Sequence, residues 1–155
     1  MKKLLLFLLF FHCILCSAQR FTVKVVGISD GDTFTAINND NLQLKIRLYG
    51  IDAPEKKQAF GNKSKEFLSS LIFGKNISID VQSQDSWGRY IAYAFTPEGR
   101  DVSYLMIESG MAWHFVKYDN TAVYELAEID AKKAQRGLWV DKSPIAPWDF
   151  RSNNR

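Results

Sequence analysis

The sequence predicts an α+β fold: a small β-barrel of five strands with about three helices packed on it. Three observations lead there. Apolar residues alternate in Leu42, Leu44, Ile46 and Leu48, with Gln43, Lys45 and Arg47 between them, which is the period of a half-buried strand. Phe67, Leu68, Leu71 and Ile72 recur at helical spacing just before a glycine stop at Gly74. Turn signals rich in Gly, Asn, Asp and Pro divide the chain into short segments, with no repeat, low-complexity stretch or linker between two halves. At 155 residues and 46% hydrophobic, the chain has material for one core and one domain.

In chain order, residues 21–29 form the first strand, because Thr22, Val23, Val25, Val26 and Ile28 are β-branched; Asp30-Gly31 then turns the chain. Residues 33–37 continue or partner that strand, and the alternating segment 42–48 follows a second turn at 38–41, with Arg47 on its outward face. An irregular stretch around Asp52-Ala53-Pro54-Glu55 precedes the helix at 63–73. Ile77, Ile79 and Val81 make a fourth strand and residues 90–96 a fifth, closed by the turn Pro97-Glu98-Gly99. Asp101 caps a short helix carrying Leu105, Met106 and Ile107. Asn120 or Thr121 caps a longer one that runs to Arg136 and stops at Gly137. Five strands with helices fit the oligonucleotide-binding (OB) barrel, whose open face carries ligands; a generic α+β sandwich would leave nearly the same pattern.

The amino terminus bears on compartment. Lys2 and Lys3 precede an apolar run over residues 4–16, and Ser17-Ala18-Gln19 supplies small residues for processing, so residues 1–18 read as a secretory signal peptide. The domain proper is then 19–155, and the protein is expected to be exported, either secreted or periplasmic. Both cysteines, Cys13 and Cys16, fall in the leader, leaving no thiol for a disulfide. The net charge of +3 includes Lys2 and Lys3; without them 18 basic residues face 17 acidic ones, a net +1. Bulk charge therefore does not select a partner, and a polyanion-binding surface would have to be local.

Unusual polar residues concentrate in four segments: Asp30-Gly31-Asp32-Thr33, Arg47-Leu48-Tyr49-Gly50-Ile51-Asp52-Ala53-Pro54-Glu55, Asp85-Ser86-Trp87-Gly88-Arg89 and Gly137-Leu138-Trp139. In this order and spacing, with Gln58, Gly61 and Pro147-Trp148, they make the chain resemble the staphylococcal nuclease (thermonuclease) family from about Phe21 to Arg151. Any one of these tetrapeptides would be weak by itself; the ordered set is specific.

The resemblance implies a calcium-dependent nuclease acting on DNA and RNA. Asp32 and Asp52 would bind Ca2+ together with the backbone carbonyl of Ala53, hard oxygen donors that suit this ion. The best-known member has threonine at the Ala53 position, which a carbonyl ligand tolerates. Glu55, held by Pro54, would be the general base that deprotonates the attacking water. Arg47 and Arg89 would donate hydrogen bonds to the phosphate oxygens as negative charge builds there. Family chemistry would leave 3′-phosphate ends.

Such a grip on phosphate reads no sequence, and single strands should be preferred because their bases are free to stack. Trp87 and Tyr118 are the candidates for stacking, whereas Trp113 and Phe115 read as core. His114 invites an acid-base role that neither spacing nor family supports. The lysines 45, 56, 57, 63 and 65 either flank the cleft or belong to a solvated face.

Each residue alone has a plainer explanation: Asp30 and Asp32 as turn formers, Glu55 as a loop glutamate, Arg47 as a solvated strand residue and Arg89 as a turn residue. Two rival functions follow from those explanations. One is a non-catalytic OB-fold nucleic-acid-binding module, and the other is an exported β-rich domain that binds calcium for stability alone. No protein partner is evident, and a monomer satisfies everything in the sequence. The nuclease reading requires residues 32, 47, 52, 55 and 89 to converge on one phosphate.

Overall fold

The computed structural model describes residues 20–153. The expected signal peptide, residues 1–18 with Cys13 and Cys16, lies outside the described residues. Among the described residues no helix is long and apolar enough to cross a membrane.

Five strands close into a barrel: β1 (Phe21–Ile28), β2 (Thr33–Ile37), β3 (Gln43–Leu48), β5 (Asn76–Gln84) and β6 (Tyr90–Phe95), in the spatial order β1-β2-β3-β6-β5. All pairings are antiparallel except β3 with β6, where Ile46 lies opposite Tyr90, Arg47 opposite Ile91 and Leu48 opposite Ala92. This is the expected OB-type barrel. Its interior is filled by the alternate residues of each strand: Val23 and Val25, Phe34 and Ala36, Ile46 and Leu48, Ile77 and Ile79, Ala92 and Ala94. Each large aliphatic or aromatic side chain removed from water in this way contributes about 1.5–3 kcal/mol. The alternating segment is shorter than its sequence pattern, because Leu42 stands before β3 and is exposed, held in the turn where Asn38 Oδ1 accepts its backbone N–H at 2.9 Å.

Helix α1 (Gly61–Ile72) lays Leu68 and Ile72 into the core, with Phe67 and Leu71 half-buried beside them. Helix α2 (Val102–Glu108) begins as expected at Asp101, whose Oδ1 accepts the Tyr104 N–H at 3.2 Å. Helix α3 (Ala122–Lys133) starts after Thr121 and ends earlier than Gly137. Its terminus is a Schellman motif in which Arg136 N–H donates to the Ala131 carbonyl at 2.9 Å and Gln135 N–H to that of Lys132 at 3.1 Å. Gln135 takes the left-handed conformation (φ 50) that glycine usually fills, which is why the glycine rule misplaced the end.

Three elements carried no sequence signal long enough to read. Strands β4 (Ile51–Asp52) and β7 (Trp113–His114) form a two-residue ladder, with Asp52 opposite Trp113. A fourth helix, α4 (Pro147–Asn153), follows a 3-10 turn at Gly137–Val140. Among the described residues the barrel thus carries four α-helices, one more than expected.

Candidate active site

Arg47 is the centre from which the site is built. It projects from β3 on the outward phase of the alternation, and its side chain remains 18% exposed. Its Nη1 donates to Asp32 Oδ1 at 3.0 Å and its Nη2 to Asp52 Oδ1 at 2.8 Å. Burial works against the charge of Arg47, but Asp32 and Asp52 outweigh it and raise its pKa above the ordinary arginine value.

Asp32 reaches that position through the turn between β1 and β2. Asp30 Oδ1 accepts the Asp32 N–H at 3.1 Å, the local bond that makes Asp-x-Asp a turn. Gly31 lets the turn press on α1: a Cβ there would stand 1.9 Å from Ser64 Oγ and 2.7 Å from Ala53 Cβ. Asp32 is nearly fully buried. Its Oδ1 also accepts from Thr33 Oγ1 at 2.8 Å, and its Oδ2 accepts the Ala53 N–H at 2.9 Å. Burial pushes its pKa above the usual carboxylate value, more than Arg47 and these hydrogen bonds pull it down.

Asp52, in β4, is completely buried. A second arginine meets it there. Arg151 of α4 donates from Nη1 to Asp52 Oδ1 at 3.1 Å and from Nη2 to Oδ2 at 2.7 Å, a two-pronged fork, and its Nη1 also reaches Glu55 Oε1 at 2.7 Å. Hydrogen bonds to Asp52, ahead of those to Glu55, raise the pKa of Arg151 despite the desolvation that opposes them.

Glu55 sits in the loop after Pro54. Its N–H donates to Gln58 Oε1 at 3.0 Å, and Gly61 allows the loop to close on α1, since a Cβ at Gly61 would lie 2.0 Å from the Glu55 carbonyl oxygen.

Four of the five side chains expected to converge therefore do so: Asp32, Arg47, Asp52 and Glu55. Among the described residues Arg89 makes no hydrogen bond or ion pair to that cluster. It precedes Tyr90, which pairs with Ile46 on the strand beside Arg47, but its Nε donates to Asp85 Oδ2 at 2.7 Å and its guanidinium lies 5.2 Å from the Trp87 ring centroid. Asp85 also accepts the N–H groups of Trp87 and Arg89, both at 2.9 Å, which fixes this turn.

Of the aromatics, Trp87 is 80% and Tyr118 62% exposed, whereas Trp113 and Phe115 are packed: Trp113 on Trp139 and Trp148, Phe115 in a parallel stack on Trp148. His114 is buried with its Nε2 2.7 Å from Asp119 Oδ2, holding the loop that leads into α3. Lys45, Lys56, Lys57 and Lys63 are exposed and Lys65 is half-buried.

The residue that sequence reading missed is Arg151. Its contacts span 96 and 99 residues along the chain, and nothing local distinguishes it from a surface arginine. The only hint was that the resemblance runs to that position.

Three carboxylates, Asp32, Asp52 and Glu55, face two guanidiniums, so one negative charge is left uncompensated where both aspartates are buried. That surplus and the all-oxygen donor set fit a hard divalent cation such as calcium. Among the described residues no group of three or more His, Cys, Asp or Glu side chains is placed to hold a metal ion by itself, so a bound ion would take the rest of its shell from the Ala53 carbonyl, water or substrate oxygens.

The family model for staphylococcal nuclease homologues matches residues 45–141. The chain belongs to this family. It is 39% identical over 140 residues to an uncharacterized endonuclease of Haemophilus influenzae, covering 90% of this chain and 78% of that protein. An uncharacterized endonuclease of Escherichia coli is 35% identical over 128 residues, or 83% of each chain. A staphylococcal-like nuclease of Arabidopsis thaliana is 32% identical over 131 residues, 83% of this chain but 40% of that longer protein.

Proposed function

We propose that this protein is a calcium-dependent nuclease that hydrolyses phosphodiester bonds of DNA and RNA with little sequence preference. The observation that carries the proposal is the convergence of Arg47, Asp32, Asp52 and Glu55, each expected from its motif, at one partly open place on the barrel. Membership of the family and the endonuclease names of its relatives support the same reading.

Arg47 uses two of its N–H groups on Asp32 and Asp52, which leaves three of a guanidinium's five donors for a phosphate. The two aspartates thereby fix its orientation before substrate arrives, so stabilising the transition state needs no reorganisation. Arg89, in the turn that leads into β6 and held there by Asp85, would supply the second set of donors when a phosphate is bound. Glu55 takes a proton from water as the water oxygen bonds to phosphorus. The bond from phosphorus to the 5′ oxygen breaks, that oxygen gains a proton from solvent, and a 3′-phosphate and a 5′-hydroxyl remain. Asp32, Asp52 and the Ala53 carbonyl would hold Ca2+, which when bound contributes Lewis-acid charge next to the phosphate. Single strands are the better substrate, because exposed Trp87 and Tyr118 offer stacking surface worth about 1–3 kcal/mol per base.

The test is hydrolysis of heat-denatured DNA by the purified protein in calcium and in chelator, beside Glu55→Gln. Cleavage that needs calcium and falls by orders of magnitude in the variant supports the proposal. Binding without cleavage under both conditions would instead make this a nucleic-acid-binding module. We further propose that the protein acts as a monomer and is exported by residues 1–18. Sedimentation checks the first, and amino-terminal sequencing of protein recovered outside the cytoplasm, expected to begin at Gln19, checks the second.

A further inference from the structure

Among the described residues the Glu55 carboxylate has one hydrogen-bonding partner, Arg151, and the Glu55 side chain is itself 39% exposed. A long, half-solvated side chain of this kind is not fixed by packing. A base that must sit within hydrogen-bond reach of one water cannot be left to wander among rotamers. Arg151 supplies the restraint, and it does so from a rigid anchor, because its fork grips both oxygens of the buried Asp52.

The element that carries Arg151 is tied to the same loop a second time. Gln58 accepts the Glu55 N–H with its Oε1 and donates its Nε2 to the Ile145 carbonyl at 2.5 Å, just before α4. Trp148 then seats α4. It stacks on Phe115 at 5.2 Å and 8°, and meets Trp113 edge-on at 5.6 Å. Trp113 is the strand partner of Asp52. The ring of contacts is closed: Asp52 to Trp113 by the β4–β7 ladder, Trp113 to Trp148 by their rings, and Arg151 back to Asp52 and Glu55. Residues 147–153 fall outside the span that the family model matches.

We propose that Arg151 is a positioning residue that locks Glu55 onto Asp52, which makes the carboxy-terminal helix α4 a working part of the active site. The inference rests on the nuclease reading with Glu55 as base. Arg151 acts through its contact with the base, so its removal lowers turnover more than substrate binding. The planar fork matters as well as the charge, because a lysine ammonium cannot hold both Asp52 oxygens and Glu55 in one geometry.

The experiment compares wild type, Arg151→Met and Arg151→Lys in steady-state cleavage of denatured DNA, and adds a stability cycle with Glu55→Gln. Arg151→Met is expected to lower kcat about 100-fold, the loss typical of a catalytic group displaced by an ångström, with KM little changed. Arg151→Lys should recover only a small part. In the cycle, read as urea midpoints, Arg151→Met and Glu55→Gln together should cost less than the sum of the two, because both remove the same contact. An unchanged kcat in Arg151→Met, full activity in Arg151→Lys, or strictly additive midpoints would overturn the proposal. If wild type cleaves nothing, the nuclease reading fails by itself, and the cycle still reports whether Arg151 holds Glu55. If Arg151→Met does not fold, Arg151→Lys carries the kinetic comparison and its own cycle with Glu55→Gln.

Discussion

Arg47 shows how one side chain serves fold and chemistry together. It lies between two buried carboxylates, so it offsets their mutual repulsion while its side chain stays partly exposed. Asp85 does the corresponding work for Arg89, and its behaviour with pH is a direct check. Three hydrogen bonds, from Arg89 N–H, the Arg89 side chain and Trp87 N–H, outweigh desolvation and hold its carboxyl below the usual value of 3.8. The folded state therefore binds this proton less readily than the unfolded one. Its stabilising contribution is present above pH 3.8 and is lost as pH falls through the lower folded value. Urea midpoints of wild type and Asp85→Asn, followed from about pH 6 to about pH 2, should differ at the upper end and converge at the acid end. A gap that stays constant with pH would mean that Asp85 is not held ionised by these bonds.

At the scale of elements, the site depends on loops pressed against helices. The β1–β2 turn meets α1 at Gly31 and Ser64, and Ser64 Oγ donates to the Met111 carbonyl at 2.6 Å, so the serine is itself held in place. Gly31→Ala puts a methyl group where Ser64 already is. The expected cost is about 1–3 kcal/mol in urea unfolding, as for other overpacked positions. Activity should fall further than stability explains, because the turn that moves carries Asp32. Full activity in a folded Gly31→Ala protein would show that the turn adjusts without disturbing the carboxylate. The helix termini teach a related lesson. Asp101 caps α2 as its type and position suggest, because that bond is local; the end of α3 at Gln135 breaks the glycine rule.

For the molecule as a whole, the distant pairings couple barrel and site into one unit. The parallel register of β3 with β6 and the contacts of α4 with Asp52 and Glu55 each join segments far apart in the chain. Trp113, Trp139 and Trp148 cluster where α4 docks, so tryptophan fluorescence reads chiefly that region, while far-ultraviolet circular dichroism reads the barrel and helices. Both signals should pass through one urea transition with the same midpoint, as expected of a single cooperative domain. Separate midpoints would mean that α4 detaches first.

The barrel strands and the three longer-signalled helices were legible in the sequence itself, and the grouping of Asp32, Arg47, Asp52 and Glu55 through the family resemblance that their motifs carry. Alternation and helical spacing report burial directly, and turns such as Asp30-Gly31-Asp32 are made by bonds between near neighbours. The closure of β3 on β6, the seating of Trp148 and the fork of Arg151 on Asp52 were decided only by tertiary structure. Those contacts arise between segments that meet only after the barrel has closed, and no local pattern of residues encodes which distant partner an arginine will find.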